Sequence, residues 1–194
     1  MKLSVLLACL LLTTGFSSMV FAAGPQAAGA PPEKPTFASV YERQLTNIEK
    51  EVVEAAEAMP EDKFNWAPTG PGDFKGVRTF ALQVKHIAVA NYAFGSAILQ
   101  EKSPAPMGGP NGPDNLTSRA DILKYLKDSY AYAHKAVAAI NESNVLTPAK
   151  PPFGDKPTTR LAMATSMLSH PFDHYGQMVV YLRMNGIIPP ASRR

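Results

Sequence analysis

Residues 169–190 read SHPFDHYGQMVVYLRMNGIIPP and hold two histidines, His170 and His174, four positions apart. On a helix this spacing puts both imidazoles on one face, a turn apart, within reach of a single metal ion. The same face carries Met163 and Met167 before the pair and Gln177 and Tyr181 after it. It is an inward, mainly apolar stripe interrupted by two ligand-capable groups. Burying two neutral imidazoles without partners is costly, and a shared ion removes that cost. The rival reading is a pair of surface or hydrogen-bonded histidines. Pro171 follows the first histidine directly, where its missing N–H costs a helical hydrogen bond. Either a kink there aims His170, or the proline is tolerated because neighbouring helices hold the segment.

Outside that pair the chain has two more histidines, His86 and His134. His86 lies in RTFALQVKHIAVANYAF, in line with Leu82, Val89 and Ala93 and beside an apolar stripe. Alone it reads as a core histidine. Brought next to the first pair by a neighbouring helix, it completes three nitrogens with an open position, the pattern of a catalytic zinc site. Three imidazoles suit zinc, nickel, iron or copper. His134, in SYAYAHKAVAAI, stands off the centre line of its helix and reads as peripheral. Gln177, about one turn beyond His174, is placed to steady a ligand, and Tyr181 to line a pocket. Asp173 is adjacent to His174 but off its face, so it pairs locally. Acidic residues do not pair at ligand spacing on an inward face. Neither a Ser-His-Asp arrangement nor a glycine-rich phosphate loop is present, so the metal is the one source of chemistry in view.

Four helical segments must position these residues. The first, over 37–59, repeats Leu45, Ile48, Val52 and Ala55/Ala56 at helical spacing. The second, over 77–100, sets Phe80, Val84, Ile87, Asn91, Phe94 and Ile98 on one face. The third follows Thr117 or Ser118 as N-cap and turns Ile122, Leu126, Ala133, Val137 and Ile140 inward. The fourth begins near Thr158/Thr159 and stops at Asn185-Gly186, with Pro189 confirming the stop. The connectors are rich in proline and glycine and show no alternation long enough for a strand. The expected fold class is all-α, a four-helix bundle.

The chain has 194 residues. Residues 1–22 read as a cleaved signal peptide, with one lysine, a leucine-rich run too short to span a membrane, and a small-residue end at Val20-Phe21-Ala22. A retained anchor is the alternative. A lipoprotein site at Cys9 would leave almost no apolar run ahead of the cysteine and is rejected. Residues 23–35 form a Pro/Ala/Gly linker that cannot bury a core, and residues 36–192 are the bundle domain. Loss of the leader removes the only cysteine, so no disulfide forms. It also lowers the formal net charge from +3 to +2, through Lys2. The basic residues are scattered, which argues against nucleic acid as a partner. The expectation is an exported, periplasmic or secreted protein with no stable membrane insertion after cleavage.

VKHIAVANYAF and HPFDHYGQMVVYLRMNGIIPPAS together resemble the DinB-like (DinB/YfiT) family of metalloenzymes, and MPEDKFNWAPTG is similar to the loop before that family's second helix. The resemblance runs from about residue 37 to 192. It implies a four-helix bundle, commonly dimeric, with a metal triad of one histidine on the second helix and an H-x-x-x-H pair on the last. His86, His170 and His174 match those ligands, and Gly176-Gln177 completes the motif. The cofactor implied is a divalent ion such as zinc, nickel or iron. Relatives of known activity include thiol-dependent transferases and isomerases, whereas export takes this chain away from low-molecular-weight thiols. The resulting expectation is a metal-dependent enzyme, of hydrolase or thiol-transferase type, acting on a small molecule. A metal-binding or helical dimerising protein without turnover is the alternative.

Overall fold

Thr36 starts the first helix through a reciprocal cap: its hydroxyl accepts the Ser39 N–H, and the Ser39 hydroxyl accepts the Thr36 N–H in return. The computed structural model describes residues 34–69 and 75–193. The leader expected over 1–22 and most of the linker after it lie outside the described residues. Four α-helices follow in order: α1 (Phe37–Ala58), α2 (Phe80–Leu99), α3 (Arg119–Ala138) and α4 (Arg160–Met184). Each of the last three is also capped at its start by a hydroxyl, from Thr79, Ser118 and Thr159.

α2 is the central helix. Sixteen of its twenty residues are buried, which is the behaviour of a helix that is apolar nearly all round. It packs against both α3 and α4, while α1 closes the bundle from the other side of those two. The core formed between them includes Leu45, Ile48, Ile87, Leu126, Met167 and Met178, all fully buried. Gly95 allows α2 and α3 to approach closely, since a Cβ there would stand 2.7 Å from the Tyr132 ring.

α2 begins three residues later than its periodicity suggests. Thr79 is held in extended backbone by its capping bond to the Leu82 N–H, so residues 77–79 are excluded. A second difference from the sequence reading is a minimal antiparallel pairing of Pro148–Ala149 with Thr158–Thr159. Two residues per strand are too few to show alternation. The pairing matters because it ties the loop after α3 to the start of α4.

α4 runs unbroken through Pro171, which is buried. It ends in a Schellman motif: Gly186 at φ +73° donates to the Arg183 carbonyl, and the Ile187 N–H donates to the Leu182 carbonyl at 2.9 Å. Among the described residues no helix is long and apolar enough to cross a membrane.

Candidate metal centre

α2 and α4 bring His86, His170 and His174 together. One ring nitrogen from each lies within 4.8 Å of the other two, and the ring centroids are 4.5 to 4.9 Å apart. His86 and His170 face each other Nε2 to Nε2 at 3.1 Å. Two nitrogens bound tetrahedrally to one zinc ion at normal distances would lie about 3.3 Å apart. The triad is therefore already close to the spacing an ion requires.

Hydrogen bonds at the far side of two rings set which nitrogen faces inward. The Nδ1–H of His86 donates to the Pro110 carbonyl, and the Nδ1–H of His174 donates to Oε1 of Gln83 at 2.7 Å. Because both acceptors are carbonyl oxygens, each Nδ1 must carry the proton and each Nε2 keeps its lone pair. His170 differs. Its Nδ1 is buried and has no hydrogen-bond partner among the described residues, so its tautomer follows whatever its Nε2 meets.

Burial and mutual repulsion keep the imidazoles neutral. Burial, then the charges of His174 and His86, push the His170 pKa down to about 4. Burial, then the charge of His86, pushes His174 down to about 4 as well. His86 is lowered chiefly by burial, against the opposing effect of its bond to Pro110. Neutral imidazoles with inward lone pairs are the form that ligates a metal. On donor set, spacing and protonation, the three residues fit a divalent ion.

Gln83 is the residue the sequence reading missed. It is buried on α2, and its amide accepts from His174 while donating to Oε1 of Gln177 at 2.7 Å. Gln177 in turn donates to Asp173 at 3.4 Å. Gln177 thus acts on His174 only through Gln83. The available signal was a polar residue three positions before His86 inside a mainly apolar helix. Asp173 pairs locally, as its off-face position suggests.

The loop after α2 supplies the other support. Lys85, only 5 % exposed, donates from Nζ to the Pro113 carbonyl at 2.6 Å and the Leu116 carbonyl at 3.2 Å. Burial lowers its pKa, with the nearby Asp114 charge opposing. Gly112, at φ +79°, lies so close that a Cβ there would come within 3.0 Å of the lysine side chain. Arg78 donates to Oδ1 of Asn111 at 2.8 Å. These bonds fix the stretch whose Pro110 carbonyl orients His86.

The remaining candidates sit elsewhere. Tyr181 packs edge-on against Trp66 at 5.3 Å and donates to the Arg78 carbonyl at 3.1 Å, tying α4 to the approach to α2. It is not among the residues that line the cavity beside the triad. His134 lies in the α1–α3 seam, well away from the triad in its partners: Nδ1 meets Glu42 at 2.7 Å and Nε2 meets Glu49 at 2.8 Å.

A cavity of about 940 Å³ opens beside the triad, with His86 and His170 in its wall. Val89, Ala90, Ala93 and Ala97 form its α2 side, and Met107 and Phe153 belong to the loops that cover it. Its size is that of a small-molecule site.

Two solved structures of DinB-like proteins share the architecture. One, from Bacillus cereus ATCC 10987, superposes with a TM-score of 0.63 at 15 % identity, over 80 % of this chain and 96 % of the other. The second, from Bacillus subtilis, has a TM-score of 0.59 at 17 % identity, over 80 % and 99 %. No curated protein matches the chain. The family model described as the DinB superfamily matches residues 44–178, well over half of the sequence, and the chain belongs to that superfamily.

Proposed function

We propose that the protein is an exported, metal-dependent enzyme, of hydrolase or thiol-transferase type, that holds a divalent ion (zinc, nickel or iron) on Nε2 of His86, His170 and His174. The observation that carries this reading is the convergence of three neutral imidazoles, two with their tautomer fixed by carbonyl acceptors, beside a mainly apolar cavity that His86 and His170 line. A bound divalent ion supplies Lewis acidity, which polarises a carbonyl or activates a water or thiol. The chain supplies the rest. Pro110 and Gln83 hold two ligands in orientation, which is the usual role of outer hydrogen-bond partners. The alanines and Val89 of α2 give the space beside the histidines an apolar wall.

Export is supported by the leader pattern of residues 1–22, and intact-mass measurement on exported protein checks it. Pairing into a homodimer is supported by the outer side of α4, where Phe172, Val180 and Met184 are exposed at successive spacings of eight and four positions.

Elemental analysis of the purified protein tests the metal directly. Activity against ester, amide and thiol substrates, with and without chelator, then tests the enzyme. A preparation that holds no divalent metal sinks the whole reading. One that holds metal but turns over none of the three substrate classes leaves a metal-binding protein without catalysis.

A further inference from the structure

The cavity is longer than the triad needs, and its two ends differ in character. Beyond His86 the residues Ala90, Ala93 and Ala97 recur at helical spacing along α2 and give the wall a floor of small side chains about 10 Å long, at the rise of an α-helix. Pro110, Pro151 and Pro152, which have no N–H to offer, contribute to the sides. Past the end of α2 the lining becomes polar and includes Gln100, Glu101, Lys102 and Lys150.

The run of residues 148–153 can be placed along this axis. Gln100 donates to the Pro148 carbonyl at 3.1 Å, so the run starts at the C-terminal end of α2. Phe153 packs edge-on against Phe94 at 6.1 Å, and Phe94 against His170 at 6.0 Å. The run therefore leads back toward the histidines. Lys150 belongs to the far end and Phe153 to the near one.

Charge at the far end is uneven. Glu101 is matched by Lys135 at 2.7 Å. Neither Lys102 nor Lys150 has an ion-pair partner among the described residues. With Glu101 taken up by Lys135, the lining keeps these two lysines as unmatched positive charge, separated from the triad by apolar wall.

We propose that the cavity binds an elongated amphiphile with a monoanionic head, a medium- or long-chain carboxylate, its apolar chain along α2 and its carboxylate at Lys102 and Lys150. The inference rests on the metal reading only in assigning the chemistry to the histidine end. The apolar floor rewards chain length through the area it removes from water. The lysines select the charged head.

Calorimetric titration of the purified protein, with chelator present, uses three probes: decanoate, the neutral decanamide and the short butyrate. Decanoate should bind about fivefold tighter than decanamide, the size of gain that partly exposed charge pairs give, and butyrate should not bind measurably. A Lys102→Gln/Lys150→Gln double variant should bind decanoate no better than decanamide and leave decanamide unchanged. Ala93→Leu, which fills the floor, should weaken decanoate and decanamide alike. Phe153→Ala, at an exposed position, gives a second reading of the chain contact should the first variant fail to fold. Equal binding of decanoate and decanamide by the unaltered protein would overturn the proposal, as would full decanoate affinity in the lysine double variant. Metal content is measured on the same preparation before the chelator is added. Protein purified without metal that selects decanoate through the lysines sinks the metal reading and keeps this one, and metal-bearing protein that ignores decanoate does the reverse.

Discussion

His86 and His170 meet Nε2 to Nε2 at 3.1 Å across the α2–α4 seam, although 84 positions separate them in the chain. Only one proton can lie between two such nitrogens, and the Nδ1–H of His86 is already committed to Pro110. His86 Nε2 is therefore the acceptor and His170 Nε2 the donor. An ion that replaces that proton would meet both nitrogens, and the His174 ring stands beside them.

Alanine substitution of His86, His170 or His174 should each lower metal content sharply, because three ligands hold the ion jointly. His134→Ala should leave it unchanged, since that imidazole is occupied by Glu42 and Glu49 in the opposite seam. Elemental analysis of the four variants decides it. Equal metal loss from His134→Ala would mean that the wrong histidines have been chosen.

Gln83→Leu should weaken metal binding by about tenfold, in line with other losses of a ligand's outer partner. Gln177→Ala should have a smaller effect, because it touches His174 only through Gln83. Competition with a chelating dye measures both. A larger loss from Gln177→Ala would reverse the order of the hydrogen-bond chain.

The metal-induced rise in melting temperature should persist well below the pKa of free histidine, near 6.5. His170 and His174 are pushed down to about 4 in the fold, so protons displace the ion only as pH nears that value. For the metal-free protein the sign follows from linkage. The unfolded chain takes up protons below about pH 6.5 while the folded one does not, so stability is full above that pH and lost as pH falls toward about 4. Thermal melts across this window, with and without zinc, should show both trends. A His170→Ala/His174→Ala double variant should flatten them and remain helical by circular dichroism. A zinc-induced rise that survives in it would place the ion elsewhere.

His134 should act in the opposite sense. Burial alone would lower its pKa, but its bonds to the Glu42 and Glu49 carboxylates outweigh that and raise it. As an imidazolium it clamps α1 to α3, and this stabilisation is full below the unfolded pKa of about 6.5 and fades as pH rises through the higher folded value. His134→Gln should therefore reduce the melting temperature more at pH 6 than at pH 9. The same deficit at both values would show that the ring contributes packing and not charge.

What the sequence determined by itself is local. The cap at Thr117 or Ser118, the start near Thr158/Thr159, the helical recurrence of Leu45, Ile48 and Val52, and the Asn185-Gly186 stop are each read within a few residues, so four helices are legible and only the start of α2 is misplaced. The four-residue spacing of His170 and His174 settles their common face for the same reason. Contacts between helices are decided by the rotation and height at which two helices pack, and one helix's periodicity carries neither. Tertiary structure alone therefore sets His86 against His170, turns Tyr181 toward Trp66 and Arg78, and places His134 between two glutamates. Gln83 could be noticed as a polar residue in an apolar helix, but its partner lies 91 positions away. The Pro110 carbonyl could not be noticed at all. Backbone oxygens are the same at every position, and only the path of the loop, held by Lys85 through Pro113 and Leu116, brings this one to His86.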